Sequence, residues 1–195
     1  MMSRSFKLIG ALLAATSALL LQGCVPLVIG AAAGGTVMVA TDRRTTGTQV
    51  DDEFIEDKAS YTIRERFKGD FHVNVTSYNG IVLLTGEVPA EAARADIAQV
   101  ALTTPKVRAV QNELAIGLVT DLNSRSNDTL ITSKVKTRFV EANKFQINHV
   151  KVVTERATVY LMGIVRRDEG DAAAQIASTT AGVQRVVKVF EYLPG

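Results

Sequence analysis

Val82-Leu83-Leu84-Thr85-Gly86-Glu87-Val88 recurs 77 residues further along the chain as Val159-Tyr160-Leu161-Met162-Gly163-Ile164-Val165. The same offset joins Val73-Asn74-Val75-Thr76 to Val150-Lys151-Val152-Val153. An offset of 76 joins Ala98-Gln99-Val100-Ala101 to Ala174-Gln175-Ile176-Ala177, and it also joins Asp52 to Asp128. Self-similarity at one period across nearly the whole folded part indicates an internal duplication. The fold is therefore that of one small unit, present twice.

Each copy has the pattern helix, strand, strand, helix, strand. In the first copy, apolar residues recur at helical spacing behind Asp52, the expected N-cap, and Asn79-Gly80 is a strong hairpin signal. The expected elements are a helix over 54–67, strands over 73–76 and 81–87, a helix over 90–103 and a strand over 107–116. The second copy repeats them over 130–142, 149–154, 158–164, 167–180 and 183–192. The predicted class is α+β, with two helices on one face of a small mixed three-stranded sheet in each copy.

The first fifty residues differ in composition from the repeat. Arg4 and Lys7 precede an apolar run from Leu8 to Leu21, and Leu21-Gln22-Gly23-Cys24 follows at once. This order resembles a secretory signal ending in the bacterial lipobox, in which the cysteine thiol receives a diacylglycerol and the peptide is cut before it. The alternative is an uncleaved membrane helix that ends in a buried cysteine, although this run is shorter than the ~20 residues a spanning helix needs.

Domain boundaries follow from these two observations. Residues 1–23 are the expected signal peptide, and 24–50 are the lipidated cysteine with a Gly/Ala-rich tether. Residues 51–119 and 127–195 are the two copies, joined by a linker over 120–126. The Gly30-Ala31-Ala32-Ala33-Gly34 spacing within the tether also permits close helix packing in a membrane, so self-association there is an alternative role.

The element order, with Gly86 and Gly163 between strand and helix, resembles the BON domain of bacterial envelope proteins. With the lipobox and the tether, the tandem copies resemble the dual BON-domain outer-membrane lipoproteins. The resemblance is carried by three stretches: 41–52, Asn74-Val75-Thr76 with Val82-Leu83-Leu84, and Ser126-Asn127-Asp128-Thr129.

That resemblance implies binding of anionic phospholipids such as phosphatidylglycerol and cardiolipin, support of outer-membrane integrity, and enrichment at division sites. Because Val25 rather than Asp follows Cys24, it also implies an anchor in the periplasm-facing leaflet of the outer membrane. An adapter that binds outer-membrane assembly proteins is the alternative function.

The two copies carry opposite net charges. Residues 51–119 contain seven basic and eleven acidic residues, whereas residues 127–195 contain ten basic and seven acidic residues. Only the second copy is therefore suited to an anionic surface. The overall charge is near balance, which does not indicate a nucleic-acid-binding protein.

The first helix of the second copy contains the candidate phospholipid-binding residues. An exposed Leu130 beside basic side chains would resemble an interfacial membrane contact. The opposing interpretation is an ordinary solvated helix face with one exposed leucine. Ile131 and Val135 also repeat at four-residue spacing and are expected to face the core. The candidate residues are Leu130, Ile131, Lys134, Val135 and Arg138.

Other candidates for chemistry are weak. Arg166-Arg167-Asp168-Glu169 could contact phosphate, but its charges are expected to pair with one another. His72 and His149 have no neighbouring metal ligands in sequence and are expected to be solvent-accessible. Cys24 is the single cysteine, and the sequence shows no Walker loop, nucleophile elbow or dinucleotide fingerprint. We therefore expect a binding protein that uses no cofactor or metal and is not an enzyme.

Overall fold

A computed structural model describes residues 42–194, which fold as two copies of the predicted unit. The first copy contains α1 (Thr46–Arg66), β1 (His72–Tyr78), β2 (Ile81–Val88), α2 (Glu91–Leu102), β3 (Ala109–Asn112) and β4 (Ala115–Ile116). The second contains α3 (Leu122–Ala142), a 3₁₀ turn (Ile147–His149), β5 (Lys151–Glu155), β6 (Thr158–Val165), α4 (Arg167–Ser178) and β7 (Arg185–Tyr192). The predicted α+β class is confirmed.

Each copy builds a mixed sheet around its longest strand. β2 pairs antiparallel with β1 and parallel with β3 and β4, and β6 pairs antiparallel with β5 and parallel with β7. The last strand of the first copy, expected to be continuous, is interrupted at Glu113 and Leu114. The Leu114 N–H there is bound by the Asn112 side-chain oxygen, 3.2 Å away, and the leucine side chain is buried.

Both first helices begin earlier than the apolar pattern predicts. Thr45 caps α1 by accepting from the Thr48 N–H, and Asp121 caps α3 by accepting from the Ser124 N–H. Asp52 is therefore inside α1 and is not its N-cap, which corrects the sequence-based prediction. The residues expected to form the linker are mostly helical as well, since α3 starts at Leu122.

The duplicated glycines have a steric origin. Gly86 and Gly163 lie inside β2 and β6, not between strand and helix as expected. A Cβ at Gly86 would overlap the carbonyl oxygen of His72, and a Cβ at Gly163 would overlap that of His149. At each glycine, the backbone of the preceding segment of the same chain passes too close for a side chain. Only glycine therefore fits at this position in either copy.

The two central strands are apolar on both faces because both faces are buried. On β2, Val82 and Leu84 face the helices of their own copy, whereas Leu83 points the other way. On β6, Val159 and Leu161 face α3 and α4. The opposite faces of the sheets meet in a third apolar cluster, formed by Tyr78, Leu83, Tyr160 and Met162. We call this contact the seam. The two copies therefore dock through their sheets and leave their helices outside.

Candidate functional site

The five candidate residues on α3 divide into three environments. Ile131 and Val135 are fully buried and pack in the core of the second copy, as their spacing predicts. Their inclusion among the lipid-contacting residues is wrong for the folded domain, because neither side chain reaches the surface. Leu130 is 59% exposed, and Lys134 is exposed one turn further along the helix. Leu130 and Lys134 thus remain as candidates for direct contact.

Arg138 is half-buried and already has protein partners. Its Nη1 donates to the Ile176 carbonyl oxygen at 2.8 Å and to Thr180 Oγ1 at 2.7 Å, and its Nη2 donates to Thr179 Oγ1 at 3.1 Å. These bonds join α3 to the carboxyl end of α4, where a positive charge is favourable. Arg138 therefore holds α3 against the end of α4, and its charge is less available to a lipid headgroup than the sequence suggests.

A shallow groove lies between α3 and the end of α4. Its volume is about 410 Å³, and its lining mixes two apolar side chains with polar and charged groups: Leu130, Ser133, Lys134, Thr137, Arg138, Glu141, Thr180 and Ala181. The groove is open to solvent along the helix. A surface of this kind can take a flat or extended ligand but does not enclose a small molecule.

Two further exposed residues of α3 were not among the five candidates, although the sequence already places Lys136 beside Leu130 as a basic flank. Val140 is 61% exposed, and Lys136 is exposed one turn before it. Within residues 42–194, neither Lys134 nor Lys136 forms an ion pair. Val140 was not chosen, although the four-residue spacing of Ile131, Val135 and Phe139 turns the residue after Phe139 away from the core. Exposed α3 residues Leu130, Lys134, Lys136 and Val140 define what we call the docking face.

The stretch that could contact phosphate, Arg166 to Glu169, forms its contacts within the protein. Arg166 pairs with Asp168 at 3.2 Å, and Glu169 is buried and accepts the Arg166 N–H at 2.8 Å. Burial would raise the pKa of Glu169, but hydrogen bonds from Arg43 and Arg166 hold it below its usual value. Arg167 lies over the Tyr192 ring, with 5.0 Å from the guanidinium carbon to the ring centre. This junction is structural.

The two histidines have different environments, and one prediction about them is wrong. His149 is buried, and its Nδ1 lies 3.7 Å from Glu169 Oε1. His72 is partly exposed, with its Nε2 3.1 Å from the Asn74 side-chain nitrogen. Burial and the nearby Arg125 lower the pKa of His72. In the part of the chain that the structure describes, no group of three or more acidic, histidine or cysteine side chains could hold a metal ion.

Two expectations depend on residues before Asp42. Cys24, the predicted lipid-attachment residue, and residues 25–41 of the predicted tether lie outside the described residues, whereas residues 46–50, also assigned to the tether, form the start of α1. Among the helices between Asp42 and Pro194, none is both long and apolar enough to cross a bilayer.

Comparison with known proteins defines the class. The BON domain family matches residues 51–117 and again residues 127–194. The chain belongs to the BON-domain family and contains two copies of the domain, as the repeat predicts.

Its similarity to individual proteins extends over most of its length. It is 40% identical over 191 residues to the outer membrane lipoprotein DolP of Haemophilus influenzae, covering 96% of each chain. It is 34% identical over 154 residues to a 21 kDa hemolysin of Actinobacillus pleuropneumoniae, covering 78% of this chain and 79% of that protein. A solved domain of CdsD, a type III secretion protein of Chlamydia trachomatis, aligns with 73% of this chain and 67% of its own at 18% identity, with a TM-score of 0.30.

Proposed function

We propose that this protein is a lipoprotein of the outer membrane, anchored through Cys24 in the periplasm-facing leaflet, whose second BON domain binds anionic phospholipid. The observation that carries the proposal is the docking face: two exposed aliphatic side chains, Leu130 and Val140, beside Lys134 and Lys136. The relative named as an outer membrane lipoprotein supports the location. Support of membrane integrity and enrichment at division sites belong to the same proposal.

The expected affinity of the docking face is low. Each lysine near an anionic surface contributes about 1 kcal/mol. Removing the exposed parts of Leu130 and Val140 from water contributes about 1 kcal/mol each at the usual coefficient for apolar area. A total of about 4 kcal/mol corresponds to a dissociation constant of about 1 mM. Such a contact does not recruit a free protein, but it suffices for a domain whose anchor already holds it at the membrane.

An equilibrium titration at millimolar lipid concentrations, monitored by NMR line broadening, tests the proposal because it resolves dissociation constants near 1 mM. The chain from residue 24 onwards is prepared with Cys24→Ser, which prevents acylation, and is mixed with vesicles that contain or lack phosphatidylglycerol. We expect Lys134→Glu with Lys136→Glu to reduce binding to the anionic vesicles at least tenfold, and Leu130→Ser to weaken it less steeply.

The first domain supplies the matched control. Lys58 is the counterpart of Lys134 at the repeat offset, and Lys58 and Arg64 are both exposed on α1. Reversing both charges changes the net charge by the same amount on the wrong domain, so binding should persist. Equal binding by the α3 double variant and the unaltered chain would remove the docking face from consideration.

A separate observation favours the adapter as a second candidate function. Val50, Phe54 and Tyr61 lie on one side of α1 and are 58%, 45% and 59% exposed. An aligned apolar stripe on an acidic domain is typical of a protein-binding surface. A photo-crosslinking residue at Tyr61, compared with one at Arg64, tests this in intact envelopes. A stoichiometric adduct from position 61 alone, retained when Lys134 and Lys136 are reversed, would support the adapter.

A further inference from the structure

The residues that join the tether to the first helix carry two arginines, and each binds a different domain. Arg43 reaches the second domain, where its Nη1 donates to Glu169 Oε2 at 2.7 Å and to the Ile164 carbonyl oxygen at 2.8 Å. Its Nη2 donates to Glu169 Oε1 at 3.0 Å. The two terminal nitrogens of the guanidinium thus bind the two oxygens of one carboxylate. This bidentate geometry gives arginine ion pairs their specificity. Glu169 itself is only 3% exposed.

Arg44 binds the first domain. Its Nη1 donates to Asp52 Oδ2 at 2.8 Å, and its Nη2 donates to Asp42 Oδ2 at 2.7 Å. The guanidinium carbon lies 3.9 Å from the centre of the Tyr78 ring, so the arginine also stacks on an aromatic face. Tyr78 belongs to the seam. Arg44 is therefore held at the edge of the contact between the two sheets.

These contacts determine the point on the surface at which the tether joins the folded protein. α1 begins at Thr46 and belongs wholly to the first domain. The contacts of Arg43 and Arg44 also hold the residues before Thr46 against the protein. This short segment runs from α1 across Tyr78 to the carboxyl end of β6 in the second domain. Asp42 and Arg44 then line a cavity of about 300 Å³ together with Lys136 of the docking face. Asp42 and Arg44, among the first residues that the structure describes, accordingly lie beside α3.

We infer that the edge of the seam is a binding site for the chain's own Arg43-Arg44 pair, which we call the clasp, and that the clasp makes the tether leave the protein beside the docking face. The first part rests on the contacts above. The second part rests on the proposed lipid docking, because the exit point matters only if α3 meets the membrane.

The physical consequence is an increase in the local concentration of the docking face at the bilayer. The 17 residues from Val25 to Thr41 span at most about 60 Å when fully extended. A tether that starts beside α3 lets this helix approach the surface with the chain slack. A tether that starts at the first helix allows other faces to approach equally well. Effective concentration, and with it the docked fraction, therefore depends on where the tether begins.

The test uses the full acylated protein in vesicles of phosphatidylethanolamine and phosphatidylglycerol. A cysteine introduced at Thr137, between the two lysines and Val140, carries a dye that brominated lipid quenches on contact. Amide exchange of the Arg44 N–H, which is bonded to Asp42 Oδ1 at 2.8 Å, reports the clasp independently of any lipid. The variants are Arg43→Gln, Arg43→Lys as the conservative change, and Arg66→Gln as the control that removes an exposed arginine elsewhere.

The expected results differ between the variants. Arg43→Gln should speed exchange at Arg44 at least tenfold and reduce quenching of the dye by about half. Arg43→Lys keeps the charge but cannot form the bidentate pair, so its exchange rate and its quenching should lie between those of Arg43→Gln and the unaltered protein. Arg66→Gln should match the unaltered protein in both measurements.

Three results would contradict parts of the inference separately. Unchanged exchange at Arg44 in Arg43→Gln would overturn the clasp. Faster exchange with unchanged quenching would leave the clasp in place but overturn its effect on the exit point. A dye that lipid fails to quench even in the unaltered protein would contradict the proposed docking, while the exchange rates would still decide whether the clasp exists.

Discussion

Asp52 is expected to stabilise the first domain more than Asp128 stabilises the second, although the two residues are equivalent in the repeat. Both are buried in the middle of the first helix and accept backbone N–H groups from the turn between the first two strands. Asp52 accepts from Asn79 N–H at 2.7 Å and Gly80 N–H at 2.8 Å, and additionally from Ser77 Oγ and from Arg44 of the clasp. Among residues 42–194, Asp128 accepts only from the two N–H groups of its turn, at 2.8 Å each.

The difference in stability follows from counting donors left without an acceptor. A buried N–H that loses its partner costs about 1 kcal/mol or more, and a hydrogen bond to a charged group contributes about 1.5 to 3 kcal/mol. Asp128→Ala removes the acceptor of two N–H groups, which we estimate at about 2 kcal/mol. Asp52→Ala removes the same two, a hydroxyl bond and the Arg44 pair, for about 5 kcal/mol.

Thermal unfolding of the unacylated chain measures the two effects. For a chain of this size, 1 kcal/mol lowers the midpoint by about 2 to 4 °C, so Asp52→Ala should lower Tm by roughly 10 to 20 °C and Asp128→Ala by about half as much. Burial would raise the pKa of Asp52, but its hydrogen bonds hold the pKa below the ordinary 3.8. The stability it adds is thus complete above that pH and is lost as the pH falls through the folded-state pKa.

The outcome that would refute this reasoning is an equal or larger loss of Tm for Asp128→Ala. It would mean that the turn bonds, common to both domains, account for the whole effect and that the Arg44 and Ser77 contacts add nothing measurable. Amide exchange at Gly80 should also accelerate in Asp52→Ala, and protection that persists at this site would contradict the assignment of its acceptor.

Two further perturbations test the packing between strands and the burial of charge. Gly163→Ala forces a Cβ into the His149 carbonyl and should lower the free energy of unfolding by about 3 kcal/mol or more. In the control Gly47→Ala, the new Cβ meets only an ordinary contact at 3.7 Å, so the protein should keep its stability. Similar urea midpoints for the two variants would contradict the steric argument. Burial raises the pKa of Glu155 above the ordinary 4.5, so its ionised form is penalised in the folded state. Glu155→Gln should therefore raise Tm at pH 7, with a gain that shrinks as the pH falls towards 4.5; a gain independent of pH would exclude this cause.

The repeat and the element order were predictable because both follow from local patterns. Alternation, helical spacing and the Asn79-Gly80 pair are properties of neighbouring residues, so they survive in any tertiary context. The turn of the second copy was harder to place, since Arg156 and Ala157 adopt positive φ values of 50° and 57° without a glycine. Asp128 holds both N–H groups of this turn, and that long-range support is absent from a local pattern.

The missed features are those that depend on which surfaces meet. Asp52 looks like a helix cap because acidic residues at helix starts usually are, and only the packed turn shows its actual role. His149 looks exposed because it is polar, but the second domain buries it near Glu169. Arg43 and Arg44 resemble a charged flank of the tether until the first domain folds Asp52 against Arg44 and the seam brings Glu169 within reach of Arg43.

The duplication itself explains how the two domains came to differ. Both copies need the same core, the same glycine and the same buried aspartate, so substitutions at these positions are excluded in either domain. The solvent-exposed sides of the helices, which lie away from the seam, can accept substitutions. There the repeat pairs Phe54 with Leu130 and Ser60 with Lys136, which gives the first helix an acidic aromatic surface and the second a basic aliphatic one. Because the sheets meet and the helices remain outside, each domain offers a different exposed helix. The proposed clasp would place the second of these helices, rather than the first, beside the start of the tether.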